Sequence, residues 1–186
     1  MITIRQEKRS DAQAREQLLD AAYGAVRFTK PSHRLREGRQ AADGLSFVAV
    51  EDGFVVGSVR LWTVTNGAGR PALLLGPLAV DPRCRNCGLG SALVRRALRD
   101  AKRLGHGAVL LVGDESYYGR FGFTAEKTGG LWLPGPYEKH RLLGCELVAG
   151  ALDGARGLLR TPKAPASKLA PLVDAIARRR PAPQAA

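Results

Sequence analysis

The stretch RCRNCGLGSALVRRAL, Arg83 to Leu98, decides how the chain is read. Cys84 and Cys87 sit three apart, and Gly88 and Gly90 follow two apart. One reading is a metal or redox CxxC; the other is a phosphate loop that opens a helix. A structural zinc site needs four ligands, commonly two cysteine pairs or one pair plus histidines. The chain offers one pair, a third cysteine (Cys145) inside an apolar run, and three histidines (His33, His106, His140) without ligand spacing. No metal site is expected. A redox CxxC carries its cysteines at a helix start without this glycine pattern. The phosphate reading is more particular. An apolar strand ends at Asp81-Pro82, and the glycine loop leads into a long helix. The first amides of a helix have no internal partners, and the helix dipole adds positive potential there. Glycines let a phosphate approach the backbone, and Arg83 and Arg85 add charge at the same mouth.

Working outward, Ser91 to Leu104 reads as the best helix, with Ala92, Leu93, Ala97, Leu98, Ala101 and Leu104 on one face and Gly105 to end it. RPALLLGPLAVDP before it is too apolar for a face open to water, so a central strand is expected, interrupted at Gly76-Pro77. GAVLLVGD after it is a second buried strand, which makes a βαβ-like unit over residues 72–114. LSFVAVEDGFVVGSVRLWTVT reads as a hairpin about Asp52-Gly53. MITIRQE alternates like a strand, and Ser10 is placed to cap a helix that carries Leu18 and Leu19 and stops at Gly24. Residues 25–45 are irregular and basic, with room for a short helix near 32–40. YYGRFGF is a compact turn leading to another strand, and GLWLPGPY and LLGCELVAG read as two more strands.

The chain has 186 residues, 45% apolar and 25% charged, which suits one globular domain. Residues 1–160 are expected to form that domain. Residues 161–186 are expected to be a basic Pro/Ala-rich tail, with room for a short amphipathic helix around Lys168–Arg179. No apolar run approaches the ~20 residues that cross a bilayer, and MITIRQEKRSD has no apolar secretory core. The reading is therefore soluble and cytoplasmic, with no membrane partner. Three cysteines, an odd count, are taken as reduced thiols. The net charge of +12 favours anionic partners. No nucleic-acid-binding motif or interleaved aromatic pattern accompanies it, so no specific nucleic acid is expected.

PLAVDPRCRNCGLGSALVRRAL resembles the cofactor motif of the GNAT superfamily of N-acetyltransferases, Gln/Arg-x-x-Gly-x-Gly/Ala, here Arg85-x-x-Gly88-x-Gly90. YYGRFGF resembles that superfamily's later motif, aromatic-Tyr-x-x-x-Gly-Phe. The two stand in the family's order, one helix and one strand apart, and the likeness extends over about residues 1–160 to bacterial proteins known only as predicted N-acetyltransferases. A GxGxxG dinucleotide fingerprint is not matched, because Leu93 stands where the third glycine belongs.

The resemblance implies an α/β fold: a mixed, mostly antiparallel sheet of six or seven strands, helices on both faces, and splayed central strands. It implies acetyl-CoA as cosubstrate, with its diphosphate on the amides of Arg85, Asn86, Cys87, Gly88, Leu89, Gly90 and Ser91. It implies a pantetheine arm paired along Leu78, Ala79 and Val80. An amide near Leu78 would polarise the thioester carbonyl, and Tyr118 would protonate the departing thiolate. The implied activity is N-acetyl transfer to a primary amine by direct attack in a ternary complex; the alternative is a non-catalytic acyl-CoA-binding regulatory module. The strand LLLGPLAV lacks the glutamate that several relatives use as a base, which leaves Glu51, Asp114 and Glu115 as the nearest carboxylates by sequence. Val112 stands where relatives often carry asparagine. The resemblance also leaves room for a homodimer.

Overall fold

A computed structural model describes residues 1–84 and 86–162. The elements in chain order are β1 (Ile2–Gln6), α1 (Ala12–Tyr23), α2 (Pro31–Arg34), β2 (Ser46–Glu51), β3 (Phe54–Thr65), β4 (Pro71–Val80), α3 (Leu89–Arg103), β5 (Ala108–Val112), α4 (Glu115–Tyr118), β6 (Leu131–Trp132), β7 (Leu142–Glu146) and β8 (Gly157–Leu158). Six strands make one sheet in the order β1-β2-β3-β4-β5-β7. Every pairing is antiparallel except β4 with β5. The fold is therefore the mixed, mostly antiparallel α/β sheet expected above. The hairpin turns where the sequence placed it: Glu51 pairs with Phe54, and Asp52 and Gly53 both take positive φ, the geometry a two-residue turn between twisted strands requires.

Helices cover both faces. On one, Leu89, Leu93, Val94, Ala97 and Ala101 of α3 pack with Ala49, Val59, Leu61, Leu73 and Leu75 in the main core. On the other, Leu18 and Leu19 of α1 pack on Ala79. Adjacent strand residues point to opposite faces, so Ala79 lies under α1 while Val80 lies beside Gly90 of α3. A second core on the α1 face, built around Leu74, Leu110 and Leu142, is closed by Leu131, Leu133, Leu152 and Leu159.

The βαβ unit is present, but its two strands part company early. β4 and β5 pair only at Leu73 with Val109 and Leu74 with Leu110. Beyond Leu74, β4 keeps its β3 partner to Val80 while its other edge faces no strand. The Gly76-Pro77 peptide, which is cis, lies at the start of this open half, opposite a register shift in β3 between Val59 and Leu61.

Several local expectations are corrected. Helix α3 begins at Leu89, two residues before Ser91, because Gly88 with φ 78° supplies the left-handed turn that starts it. Ser10 caps nothing: Asp11 reaches back to the Lys8 amide at 2.7 Å and pairs with Arg5 at 2.6 Å, which ties the end of β1 to the start of α1. The helix near 32–40 is reduced to Pro31–Arg34. The strand after YYGRFGF is a single bridge, Thr124 to Gly144. GLWLPGPY supplies a two-residue strand that joins β8 in a separate pair. The tail helix expected near Lys168–Arg179 lies outside the described residues. Among the described residues, no helix is long and apolar enough to cross a membrane.

Candidate active site

The splay between β4 and β5 opens a slot of about 290 Å³. Leu75, Gly76, Pro77 and Leu78 form one wall, and Leu111, Val112 and Gly113 form the other. Tyr118 of α4 lines it as well. Leu78 and Tyr118, far apart in sequence, thus meet in one cavity. The Tyr118 ring lies close to Gly113, where a side chain would collide with its Cδ2–Cε2 edge. It also stacks edge-on with Tyr117 at 4.9 Å and Phe123 at 5.9 Å. Burial pushes its phenol above the usual range, so the hydroxyl holds its proton at neutral pH.

A second cavity, about 420 Å³, opens at the start of α3. Val80, Asn86, Gly88, Leu89, Gly90 and Ser91 line it, with Tyr117 and Arg120 opposite. Asn86 and Gly88 both take positive φ, which turns successive amides toward one concavity. The first α3 amide with a main-chain acceptor is Ala92, on Gly88 O at 2.9 Å. Among the described residues, the amides of Gly88, Leu89, Gly90 and Ser91 donate to none. Gly90 keeps the floor bare: a Cβ there would stand 3.0 Å from the Tyr117 hydroxyl. Amides at a helix N-terminus with no acceptor among the described residues are a place where the loop can take an anion.

Of the residues singled out by sequence, Arg85 lies outside the described residues. Cys87 is exposed and does not line the cavity; its thiol donates to Cys84 O at 2.5 Å. Ala79 is buried beneath α1 and does not reach the slot. Among the carboxylates, Asp114 lines the slot and pairs with Arg141 at 3.2 Å. Glu51 lies instead against the Cys84 thiol, 3.8 Å away, and Glu115 lines neither cavity. No group of three or more His, Cys, Asp or Glu among the described residues is placed to hold a metal.

Arg141, beside Asp114 in the slot, escaped the sequence reading, and so did two other residues. Tyr23, on the last turn of α1, lines the slot and donates its hydroxyl to Leu78 O. Its only sequence signal was its place before the helix-ending Gly24. Arg120 lines the loop cavity and stacks over Tyr117, 4.9 Å from the ring centre. Its place inside YYGRFGF could have identified it.

Comparison with known proteins identifies a family. A family model described as the acetyltransferase (GNAT) family matches residues 12–123. Over 158 residues the chain is 33% identical to the uncharacterized N-acetyltransferase YhbS of Escherichia coli K12, spanning 84% of this chain and 93% of that protein. Among solved structures, it is similar to the GNAT family N-acetyltransferase YhbS from Escherichia coli in complex with CoA, with a TM-score of 0.74 and 31% identity over 87% of this chain and 89% of that one. It is also similar to a GNAT family acetyltransferase from Brucella melitensis in complex with acetyl-CoA, with a TM-score of 0.58 and 33% identity over 67% and 83% of the two chains.

Proposed function

The chain belongs to the GNAT family of acetyltransferases, and we propose that it transfers the acetyl group of acetyl-CoA to a primary amine, which attacks directly within a ternary complex. The observation that carries this reading is the placement of two cavities along one strand: Leu78 of β4 lines the slot, Val80 two residues on lines the cavity at the start of α3, and this half of β4 has no partner on its β5 side. A long cofactor with a diphosphate at one end and an amide-bearing arm beyond it fits that path. A side chain at position 90 would intrude on it. Acetyl-CoA supplies the activated thioester carbonyl.

The chain's own residues then have separable tasks. The amides of Gly88 to Ser91 hold the diphosphate. The open edge of β4 around Leu78 and Val80 orients the arm as an added strand would, and a Leu78 amide donor would stabilise negative charge developing on the carbonyl oxygen. Tyr23 fixes this strand by its bond to Leu78 O. Tyr118 holds a proton at the slot, where the sulfur leaves as the new C–N bond forms. The amine must arrive uncharged, and the proton it sheds balances the one that Tyr118 gives up.

The test is acetyl transfer by the full-length protein to a panel of primary amines, followed by release of free CoA thiol. Amine-dependent release is expected, rising with pH as the amine loses its proton. No fall due to Tyr118 is expected up to pH about 10, because burial raises that group's pKa and keeps its proton on. Tyr118→Phe should lower kcat about 100-fold while CoA still raises the melting temperature. Stabilisation by CoA with no amine-dependent release would overturn transfer and leave an acyl-CoA-binding regulatory module.

A further inference from the structure

The segment between α1 and β2 crosses the open half of β4 and brings cations to the slot. Its lining includes Arg27, Lys30, Arg36 and Arg141, against Asp114 as the single carboxylate. Two of these cations are already engaged. Arg27 pairs with Glu16 at 2.6 Å and Asp20 at 2.9 Å, and Arg141 pairs with Asp114. Lys30 and Arg36 differ: among the described residues neither has a carboxylate within ion-pair distance. The Lys30 ammonium rests over the Tyr23 ring, 4.9 Å from its centre.

Arg36 is the sharper case. Its Nε donates to Ser32 O at 3.0 Å, and its Nη2 reaches Ser32 Oγ at 3.4 Å. Its Nη1 has no hydrogen-bond partner among the described residues and stands 3.9 Å from where a Gly76 side chain would begin. The guanidinium is partly buried, and that burial, uncompensated by an acid, pulls its pKa down to about 10. Taking a cation out of water without a counter-ion costs stability, so a fork held this way is poised for a ligand rather than for the fold.

Position says which ligand. Arg36 also lines a neighbouring cavity of about 260 Å³, with Phe28, His33, Trp62 and Pro77, so it stands in the wall between that cavity and the slot. Leu75 to Val80 lies opposite Leu61 to Gly57 of β3, a span of about 13 Å, which sets Arg36, beside Gly76, toward the opposite end of the arm from the loop at the start of α3. It is therefore placed for the group that meets the thioester and not for the diphosphate. We infer that Arg36, supported by Lys30, binds an oxyanion on the acceptor, a carboxylate or a phosphate, so that the substrate is an anionic primary amine. This rests on the transfer reading above. A guanidinium fork suits either oxyanion through two parallel N–H donors.

The experiment compares matched amines that differ only in the anion, with kcat/KM expressed per unprotonated amine and CoA stabilisation recorded in parallel. β-Alanine against β-alaninamide tests a carboxylate, and phosphoethanolamine against ethanolamine tests a phosphate. The wild-type protein should favour the charged member of at least one pair by about 10- to 100-fold, and the responding pair identifies the oxyanion. Arg36→Leu should bring that ratio toward one, and Arg36→Lys should restore part of it. If Arg36→Leu does not fold, the wild-type ratio and Arg36→Lys decide alone. Transfer that is equal for charged and neutral amines, or a preference that survives Arg36→Leu, overturns the anionic acceptor and leaves acetyl transfer standing. Absence of transfer to every amine, with CoA still stabilising the protein, overturns both.

Discussion

Tyr118 stands where only a glycine neighbour allows it to stand. A Cβ on Gly113 would come within 2.7 Å of Tyr118 Cδ2 and 3.1 Å of Leu111 Cδ1, closer than ordinary contact permits. The ring is held on its other sides by Tyr117 and Phe123, so it must tilt rather than slide. Gly113→Ala should therefore lower kcat about 10-fold or more by misplacing the hydroxyl, since small displacements at a reacting centre are costly. Gly119→Ala is the control, because a Cβ there meets nothing nearer than Glu115 Cγ at 4.0 Å. Stopped assays on the two variants, with CoA-induced stabilisation measured beside them, separate a displaced tyrosine from a damaged fold. Equal activity in both would show that the position of the phenol is unimportant.

Helix α3 is the element that delivers the loop. Its buried residues, Leu89, Leu93, Val94, Ala97 and Ala101, recur along one stripe, and Leu93 lies at the centre, fully enclosed against β3 near Gly57. Leu93→Ala leaves a hole that the close-packed sheet cannot collapse to fill. It should cost about 2–5 kcal/mol, read from urea unfolding. A loss under 1 kcal/mol would mean that the helix is not anchored at this point. The same stripe made α3 legible in the sequence, as Asp52-Gly53 did for the hairpin and the uninterrupted apolar run did for β4. These signals are local and periodic. β6 was harder: Leu131 and Leu133 are apolar because they close the second core, and the strand's partner lies 26 residues later at Gly157. The loop start was legible in its glycines, yet not the two-residue shift to Leu89, which depends on the φ of Gly88. Tyr23 could not be assigned, because its partner Leu78 is 55 residues away and no spacing announces it. Arg36 was visible as charge, but its lack of an acidic partner is a property of the folded segment.

At the scale of the molecule, one departure from regular sheet pairing organises everything else. Two registers of β4–β5 pairing hold the strands together, and the rest of β4 is left with one free edge. The loop at the start of α3 and the turn carrying Tyr118 flank that edge, while the basic segment after α1 lies across it. The net charge of +12 is in keeping with an anionic cofactor, and the N-terminus of α3 gives the charge a focus. The most direct test is a titration of isotopically labelled protein with CoA, with the backbone amide resonances followed by NMR. The amide protons of Gly88, Leu89, Gly90 and Ser91 should move downfield together as they bond the diphosphate, whereas pantetheine, which lacks it, should leave them in place. If CoA saturates the protein and these four amides do not shift, the diphosphate is held elsewhere and the cradle at the start of α3 is wrong.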